Sequence, residues 1–264
     1  MRGEVLTKRD LAVFWEDLMR MYRNDAPRHA YIVHDLIYDY GRTEVYVLWR
    51  ESIAGYILVW KGERERAAVH MYGDFLDLLP RIADEPLLLH IPLEEAGKVK
   101  AFFEEKGRVE EVGVYLDMKV DKESFNPINP ELAIRLGMEH LEKLADLLPP
   151  ERAGEDRLVR ARAILRQSYT YGVMVGGRLV SMAYAYLRMP EVWAIGGVYT
   201  HPDYRGRGYA KSVVSAITRD ALKCGEWAFL HVRKDNLPAI RVYERVGYST
   251  FGERLWIKYT PANL

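Results

Sequence analysis

Residues 198–210 read VYTHPDYRGRGYA, between an apolar run that begins at Val192 and a segment with apolar residues every three to four positions. The run predicts a strand and the segment predicts a helix, with the glycines in the turn between them. Glycine lets backbone amides approach a ligand closely, and a helix N-terminus attracts anions. With Arg205 and Arg207, the turn is interpreted as a phosphate or pyrophosphate site. The alternative is an ordinary turn with two solvated arginines.

Two common nucleotide-binding motifs do not fit this turn. A P-loop places a glycine five residues before Gly-Lys, whereas Arg205 stands at that position and Ala210 precedes Lys211. A dinucleotide-binding turn needs a third glycine where this chain has Lys211. Both readings are therefore disfavoured.

A second pattern lies downstream, after a predicted strand over 227–232. Residues 236–248 read NLPAIRVYERVGY, and residues 205–210 read RGRGYA. Together they resemble the GCN5-related N-acetyltransferase (GNAT) family, whose two motifs are Q/R-x-x-G-x-G/A and N-x-x-A-x-x-x-Y-x-x-x-G-F/Y. The motifs stand in the family's order over residues 192–259, whereas residues 132–187 fit by element order only.

The order of predicted elements occurs twice along the chain. Residues 10–120 give two helices, a hairpin, two further strands, a helix and a last strand. Residues 132–259 give the same order, with the glycine turn and its helix added. This order indicates an internal repeat, and the alternative is chance similarity of two α/β halves. We expect an α/β protein of two tandem GNAT-like units, each a mixed, largely antiparallel sheet flanked by helices. The expected domains are a degenerate one at 1–125 and an acetyl-CoA-binding one at 131–264, joined by a linker with two Asn-Pro pairs.

The first repeat lacks the residues that the family uses to bind its ligand. Residues 72–89 leave no room for a glycine turn and a full helix. Ala96 and Phe103 stand where the second repeat has Asn236 and Tyr243. We expect this unit to pack, to shape the acceptor cleft or to mediate assembly rather than to bind CoA.

The resemblance implies acetyl-CoA as co-substrate, held in a cleft between the strands at 192–200 and 227–232. Gly196-Gly197 predicts a bulge that splays these strands, the alternative being packing space beside Trp193. The amide of Val198 is expected to polarise the thioester carbonyl. The residues expected to bind the co-substrate are Val198, Tyr199, Thr200, Arg205, Gly206, Arg207, Gly208, Tyr209, Ala210, Lys211, Asn236, Ala239 and Tyr243.

Tyr243 is the residue to which the resemblance assigns the role of general acid. A phenol with a pKa near 10 stays protonated at neutral pH and can donate to the sulfur of CoA. The alternative is a buried core tyrosine. Asn236 lies two helical turns earlier, and it would also serve as a helix N-cap without any ligand. The general base is left open among Glu191, Tyr184, Tyr186, His201, His231 and relay through water.

Composition limits the remaining classes of function. The 264 residues are 49% hydrophobic and 29% charged, which is typical of a folded protein. Zero net charge and a pI of about 7.1 give no basis for a nucleic-acid or membrane partner. The single cysteine, Cys224, and a start without a signal-length apolar run lead us to expect a cytoplasmic protein. His34, His70 and His90 lack metal-ligand spacing, so no metal is expected.

The expected function is direct transfer of an acetyl group from acetyl-CoA to a primary amine of a small molecule or peptide. The alternatives are a non-catalytic CoA-binding regulatory module and a transferase of a longer acyl group. A homodimer is among the assemblies considered. Neither the acceptor nor the acyl length follows from a fold.

Overall fold

The computed structural model describes residues 3–62, 65–149 and 156–263. The strands are β1 (Glu4–Thr7), β2 (Thr43–Trp49), β3 (Ile53–Trp60), β4 (Ala67–Gly73), β5 (Leu87–Pro92), β6 (Gly107–Val120), β7 (Ala133–Arg135), β8 (Tyr169–Val175), β9 (Arg178–Arg188), β10 (Val192–Thr200), β11 (Trp227–Arg233) and β12 (Ser249–Pro261). The helices are α1 (Leu11–Asn24), α2 (Ala26–Tyr38), α3 (Ala96–Glu104), α4 (Leu141–Leu147), α5 (Arg157–Gln167), α6 (Tyr209–Cys224) and α7 (Leu237–Val246). None of these helices, within the described residues, is long and apolar enough to cross a membrane.

The chain divides into two compact units. The N-terminal unit contains the chain up to Asp117, Arg233–Asp235 and the segment from Phe251, and the C-terminal unit contains Met118–Val232 and Asn236–Thr250. The first has the strand order β1-β2-β3-β4-β5-β12-β6, and the second has the order β11-β10-β9-β8-β7. One pair in each order, β4 with β5 and β10 with β11, is parallel. Each unit is thus a mixed sheet with helices, as the repeat predicts.

Strand β12 belongs mainly to the N-terminal unit. The expected C-terminal domain, residues 131–264, had included it. The strand pairs antiparallel with β5, from Arg254 opposite Pro92 to Tyr259 opposite Leu87. Its apolar face, including Ile257 and Tyr259, is fully buried in the core of that unit. The other observed boundary lies within β6, at Asp117 and Met118, rather than at 125. Alternation along a strand predicts its buried face but not its partner, so the sequence could not assign β12.

In the N-terminal unit, apolar residues of the core stand at the positions of the missing motif residues. Only a 3₁₀ turn, Leu76–Arg81, lies between β4 and β5, in agreement with the shortage of residues there. Phe103 is fully buried, and its ring centre lies 4.5 Å from that of Tyr259. The aromatic ring at this position therefore belongs to the core.

A buried ion pair joins four strands of the N-terminal unit. Arg254 Nε on β12 donates to Asp117 Oδ2 on β6 at 2.7 Å, and the side chains are 12% and 3% exposed. Arg254 Nη1 also lies 3.4 Å from the carbonyl oxygens of Met71 on β4 and His90 on β5. The Arg254 guanidinium therefore bonds to β6 and lies close to backbone oxygens of both parallel strands.

The parallel register of β4 and β5 brings together two histidines that are distant in sequence. His70 and His90 are register partners, and their imidazole nitrogens approach to 3.2 Å. No three His, Cys, Asp or Glu side chains in the described parts of the chain form a group that could hold a metal.

A neutral buried histidine makes the stability of the N-terminal unit depend on pH. Nδ1 of His29 lies 2.8 Å from the Tyr56 hydroxyl, and the imidazole is 3% exposed. Burial is the main cause that lowers the pKa of His29 to about 4, and Arg28 and Arg254 act in the same direction while Asp25 opposes them. The unfolded chain takes up this proton near pH 6.5 and the folded chain only near pH 4. Acid therefore favours unfolding between these values.

We expect the free energy of unfolding to fall by roughly 3 kcal/mol between pH 6.5 and pH 4 through His29. Urea unfolding of the full chain at several pH values measures this slope. His29→Gln keeps a hydrogen-bond acceptor for Tyr56 but cannot titrate, so its slope should be shallower. The same slope in both proteins would show that His29 does not contribute.

Candidate functional site

The glycine turn connects β10 to α6 within the C-terminal unit. A 3₁₀ turn over Pro202–Tyr204 starts it, and Gly206 and Gly208 then take φ values of +77° and +89°. Only glycine adopts such values readily. A Cβ at Gly206 would meet no atom within 4 Å, so the space beside the turn is open. Because α6 begins at Tyr209, the N-terminus of this helix lies next to this space.

The two arginines of the turn have different surroundings. Arg205 lines the open space, and its Nε donates to the carbonyl oxygen of Thr200 at 3.2 Å. The guanidinium of Arg207 lies 5.3 Å from the centre of the Tyr204 ring and does not line the space. The structure therefore does not bring the Arg207 side chain together with the other predicted residues.

Strand β10 separates from β11 after three paired residues. The parallel register runs from Val192 with Trp227 to Ala194 with Phe229. The register of β10 with β9 shifts next to Ala194 and again between Gly196 and Tyr199, which confirms the predicted bulge. Beyond Ala194 the register of β10 with β11 ends, and Val198, Tyr199 and Thr200 at the end of β10 line an open space.

The two glycines of the bulge lie under tyrosine rings. Gly197 has φ +58°, and a Cβ there would overlap the ring of Tyr184. A Cβ at Gly196 would lie 3.0 Å from the ring of Tyr186. The glycines thus provide packing space as well as a bulge, although the space is occupied by these rings rather than by Trp193.

We expect Gly197→Ala to lower the free energy of unfolding by about 2–3 kcal/mol, because both the backbone and the Tyr184 ring must adjust. Gly176→Ala is the matched control, since Gly176 has φ +55° but a Cβ there would have no neighbour within 4 Å. It should cost about 1 kcal/mol, for the backbone alone. Urea unfolding measures both. Equal losses would exclude a contribution from the ring.

Helix α7 carries the second motif. The side chain of Asn236 caps it, with Oδ1 accepting from the Ala239 amide at 3.3 Å, so the N-cap interpretation is correct. Pro238 occupies the first turn, where its missing N–H costs no helical hydrogen bond. Tyr243 follows two turns after Asn236 and is 6% exposed. The motif spacing therefore places Asn236, Ala239 and Tyr243 along one side of the helix.

The turn, the end of β10 and α7 enclose one cavity of about 650 Å³, within the size range of small-molecule sites. All of its lining residues belong to the C-terminal unit. They include every predicted binding residue except Arg207. The full lining is Val198, Tyr199, Thr200, Tyr204, Arg205, Gly206, Gly208, Tyr209, Ala210, Lys211, Asn236, Pro238, Ala239, Arg241, Val242, Tyr243 and Arg245.

Sequence reasoning missed several residues of this lining, chiefly two cations of α7. Arg241 and Arg245 are about one helical turn apart, and so are Pro238 and Val242, which also line the cavity. Extending the helical period from Ala239 and Tyr243 to neighbouring positions would have found them. With Arg205 and Lys211 they make the lining cationic, and it contains no acidic residue.

The Tyr243 hydroxyl is a proton donor at neutral pH. Burial raises the pKa of Tyr243 above its usual value. Among the described residues the hydroxyl has no hydrogen-bond partner, and the ring centre lies 6.0 Å from that of Tyr248. Tyr248 is itself buried and its hydroxyl lies 2.7 Å from that of Thr218 on α6. The Tyr243 hydroxyl therefore forms no hydrogen bond with other described side chains, and it can bond to a ligand in the cavity.

The candidate bases lie outside the cavity lining. His201 belongs to the turn, with Nδ1 3.3 Å from the Asp203 amide nitrogen and Nε2 3.0 Å from the Arg178 guanidinium. Glu191 lies just before β10, and its carbonyl oxygen accepts from the backbone amides of Glu226 and Trp227. The arrangement assigns the role of base to none of the five candidate residues.

Residues 138–248 match the sequence model of the acetyltransferase (GNAT) family. In sequence, the chain matches none of the curated proteins compared with it.

Solved structures of similar fold extend over almost the entire chain. A Drosophila protein superposes with a TM-score of 0.71 over 98% of this chain and 99% of its own, at 15% identity. A tandem GNAT protein from the clavulanic acid biosynthesis pathway gives 0.61 over 98% and 99%, also at 15% identity. A GCN5-related N-acetyltransferase from Kribbella flavida gives 0.56 over 80% and 90%, at 15% identity. At such identities the likeness concerns the fold, and it confirms two GNAT-like units in tandem.

Proposed function

Because residues 138–248 belong to the acetyltransferase (GNAT) family, we propose that the C-terminal unit transfers an acetyl group from acetyl-CoA to a primary amine by direct attack. One observation carries the proposal. The glycine turn and the α7 motif, which are about thirty residues apart in sequence, line the same cavity. A turn alone would suit many phosphates, whereas the two motifs together are those of this family.

The cavity suits an extended ligand with phosphate groups. Among the described residues, Lys211, Arg241 and Arg245 form no ion pair, so three cations remain available to phosphate oxygens. The end of β10, from Val198 to Thr200, lies beyond its pairing with β11. Its backbone can therefore hydrogen-bond an amide-bearing arm, as an added strand would.

The proposed reaction forms a C–N bond and breaks a C–S bond. The amine nitrogen attacks the thioester carbonyl carbon, and the Val198 N–H donates to the carbonyl oxygen as negative charge develops there. The Tyr243 hydroxyl gives its proton to the leaving sulfur, so that CoA departs as a thiol. The attacking amine loses its proton to water, which returns a proton to Tyr243. No bond forms between the acetyl group and the protein.

Calorimetric titration with acetyl-CoA and an assay for free thiol test this function. We expect one acetyl-CoA bound per chain, and thiol release that depends on a member of a pool of amino acids, polyamines and peptides. Binding without amine-dependent release would contradict transfer and favour a regulatory module. Faster release from longer acyl-CoA thioesters would assign the longer-chain alternative.

A further inference from the structure

We call residues 121–129 the strap. Its two Asn-Pro pairs predict a linker, but the strap forms hydrogen bonds with two helices of the C-terminal unit. It starts with a closed turn, in which the Ser124 amide donates to Asp121 Oδ1 at 2.8 Å and the Phe125 amide donates to the Asp121 carbonyl at 3.1 Å. The residues that follow this turn bond first to α7 and then to α6.

The strap binds the C-terminal end of α7. The Asn126 amide donates to the Val246 carbonyl at 2.9 Å, and Asn126 Nδ2 donates to the Arg245 carbonyl at 3.1 Å. These carbonyls lie in the last turn of α7, where helical partners are lacking. A Cβ at Gly247 would overlap the carbonyl oxygen of Ser124. The glycine that ends the α7 motif therefore makes room for the strap.

The strap also binds the middle of α6. The amide of Ile128 donates to Ser215 Oγ at 2.9 Å, and Ser215 is fully buried. The first turn of α6 and the face of α7 that bears Tyr243 both form walls of the cavity. Two residues of the strap, Asn126 and Ile128, thus connect the helices that form these walls.

The position of the Tyr243 hydroxyl depends on α7 as a whole. No described residue binds this hydroxyl, so it is held only by the helix backbone and by packing against residues such as Tyr248. Tyr243 lies three residues before Val246, less than one helical turn from the carbonyls that the strap binds. A shift of the helix end is therefore transmitted directly to the hydroxyl.

We propose that Asn126 is a positioning residue for the proposed transfer: by holding the last turn of α7, it fixes the Tyr243 hydroxyl at the sulfur of the bound thioester. The inference rests on the proposed function of this site. Asn126 touches neither the cavity nor the reacting atoms, and it acts through Tyr243.

The test compares Asn126→Ala with Lys122→Ala, a change at an exposed strap residue that has no bond to α7. Thiol release from acetyl-CoA is measured with the amine from the pool that gives the highest turnover. Because misplacement of a reacting group by about 1 Å can cost about 100-fold, we expect kcat to fall roughly five- to tenfold in Asn126→Ala. KM for acetyl-CoA should stay within about twofold, and Lys122→Ala should match the unmodified protein.

A double variant separates positioning from general loss of structure. If Asn126 acts through Tyr243, Asn126→Ala combined with Tyr243→Phe should be no slower than Tyr243→Phe alone. Losses that multiply, or an unchanged kcat in Asn126→Ala, would overturn the inference. Turnover unaffected by Tyr243→Phe alone would instead overturn the proposed role of Tyr243.

Hydrogen exchange gives a readout besides activity. In Asn126→Ala, the amides of the last turn of α7 should exchange faster, whereas those of α6 should not change. Ser215→Ala loosens the strap at its other end without touching α7, and it replaces Asn126→Ala if that variant does not fold. It should lower kcat in the same way but by a smaller factor. Unchanged α7 exchange in both variants would contradict the inference.

Discussion

Tyr243→Phe should lower kcat by about 10²- to 10⁴-fold, the usual contribution of a general acid. The substitution removes only the hydroxyl, so the buried ring keeps its place beside Tyr248. The thiolate of CoA must then leave without its proton donor. Acetyl-CoA affinity should change by no more than about twofold, because the lost interaction belongs to the transition state.

Thiol release at saturating acetyl-CoA and calorimetric titration separate these two effects. Tyr248→Phe removes the hydroxyl of the buried ring next to Tyr243 without changing the cavity lining, and it serves as the matched control, for which we expect turnover close to that of the unmodified protein. Since burial raises the pKa of Tyr243, kcat should not fall on the alkaline side until above pH 10. Wild-type turnover in Tyr243→Phe would rule out the hydroxyl as the acid.

Asp117→Ala should lower the free energy of unfolding by about 3–5 kcal/mol, since it leaves the buried guanidinium of Arg254 without its carboxylate. The carbonyl oxygens of Met71 and His90, 3.4 Å from Arg254 Nη1, are too distant to replace an ionic bond. Urea unfolding measures the loss, and hydrogen exchange at β5 and β12 should assign it to the N-terminal unit.

A paired substitution provides the control. Asp117→Leu with Arg254→Met replaces both charges by apolar side chains, and it should recover most of the stability lost in the single variant. Asp117→Asn keeps an oxygen acceptor for Arg254 Nε and should give an intermediate loss. A double variant as unstable as Asp117→Ala would mean that the charge left behind is not the cause.

The sequence predicted local structure and the cavity more completely than it predicted strand partners. The spacing of Asn236, Ala239 and Tyr243 defines a helical face, and glycines at 206 and 208 define a turn. These features depend on neighbours within a few residues, so they can be inferred without a fold. The strand β1 was missed, because four residues carry little alternation.

Long-range partners depend on the fold itself. The alternation in β12 indicates a buried face, but its pairing with β5 depends on packing against a core formed far away in the sequence. Likewise, two Asn-Pro pairs predict the absence of helix in the strap but not its bonds to α6 and α7. The direction of the Arg207 side chain could not be predicted either, because its contact with Tyr204 depends on the conformation of the turn.

The place of β12 in the N-terminal unit has a consequence for biosynthesis. β5 ends at Pro92 and β12 begins at Ser249, so a ribosome adds more than 150 residues between the two partners. At about 5–20 residues per second, the nascent chain carries β5 without β12 for roughly ten to thirty seconds. During that interval β5 is an open edge, which favours pairing with other chains. Chaperone capture of nascent chains should therefore be strongest before residues 249–261 leave the exit tunnel.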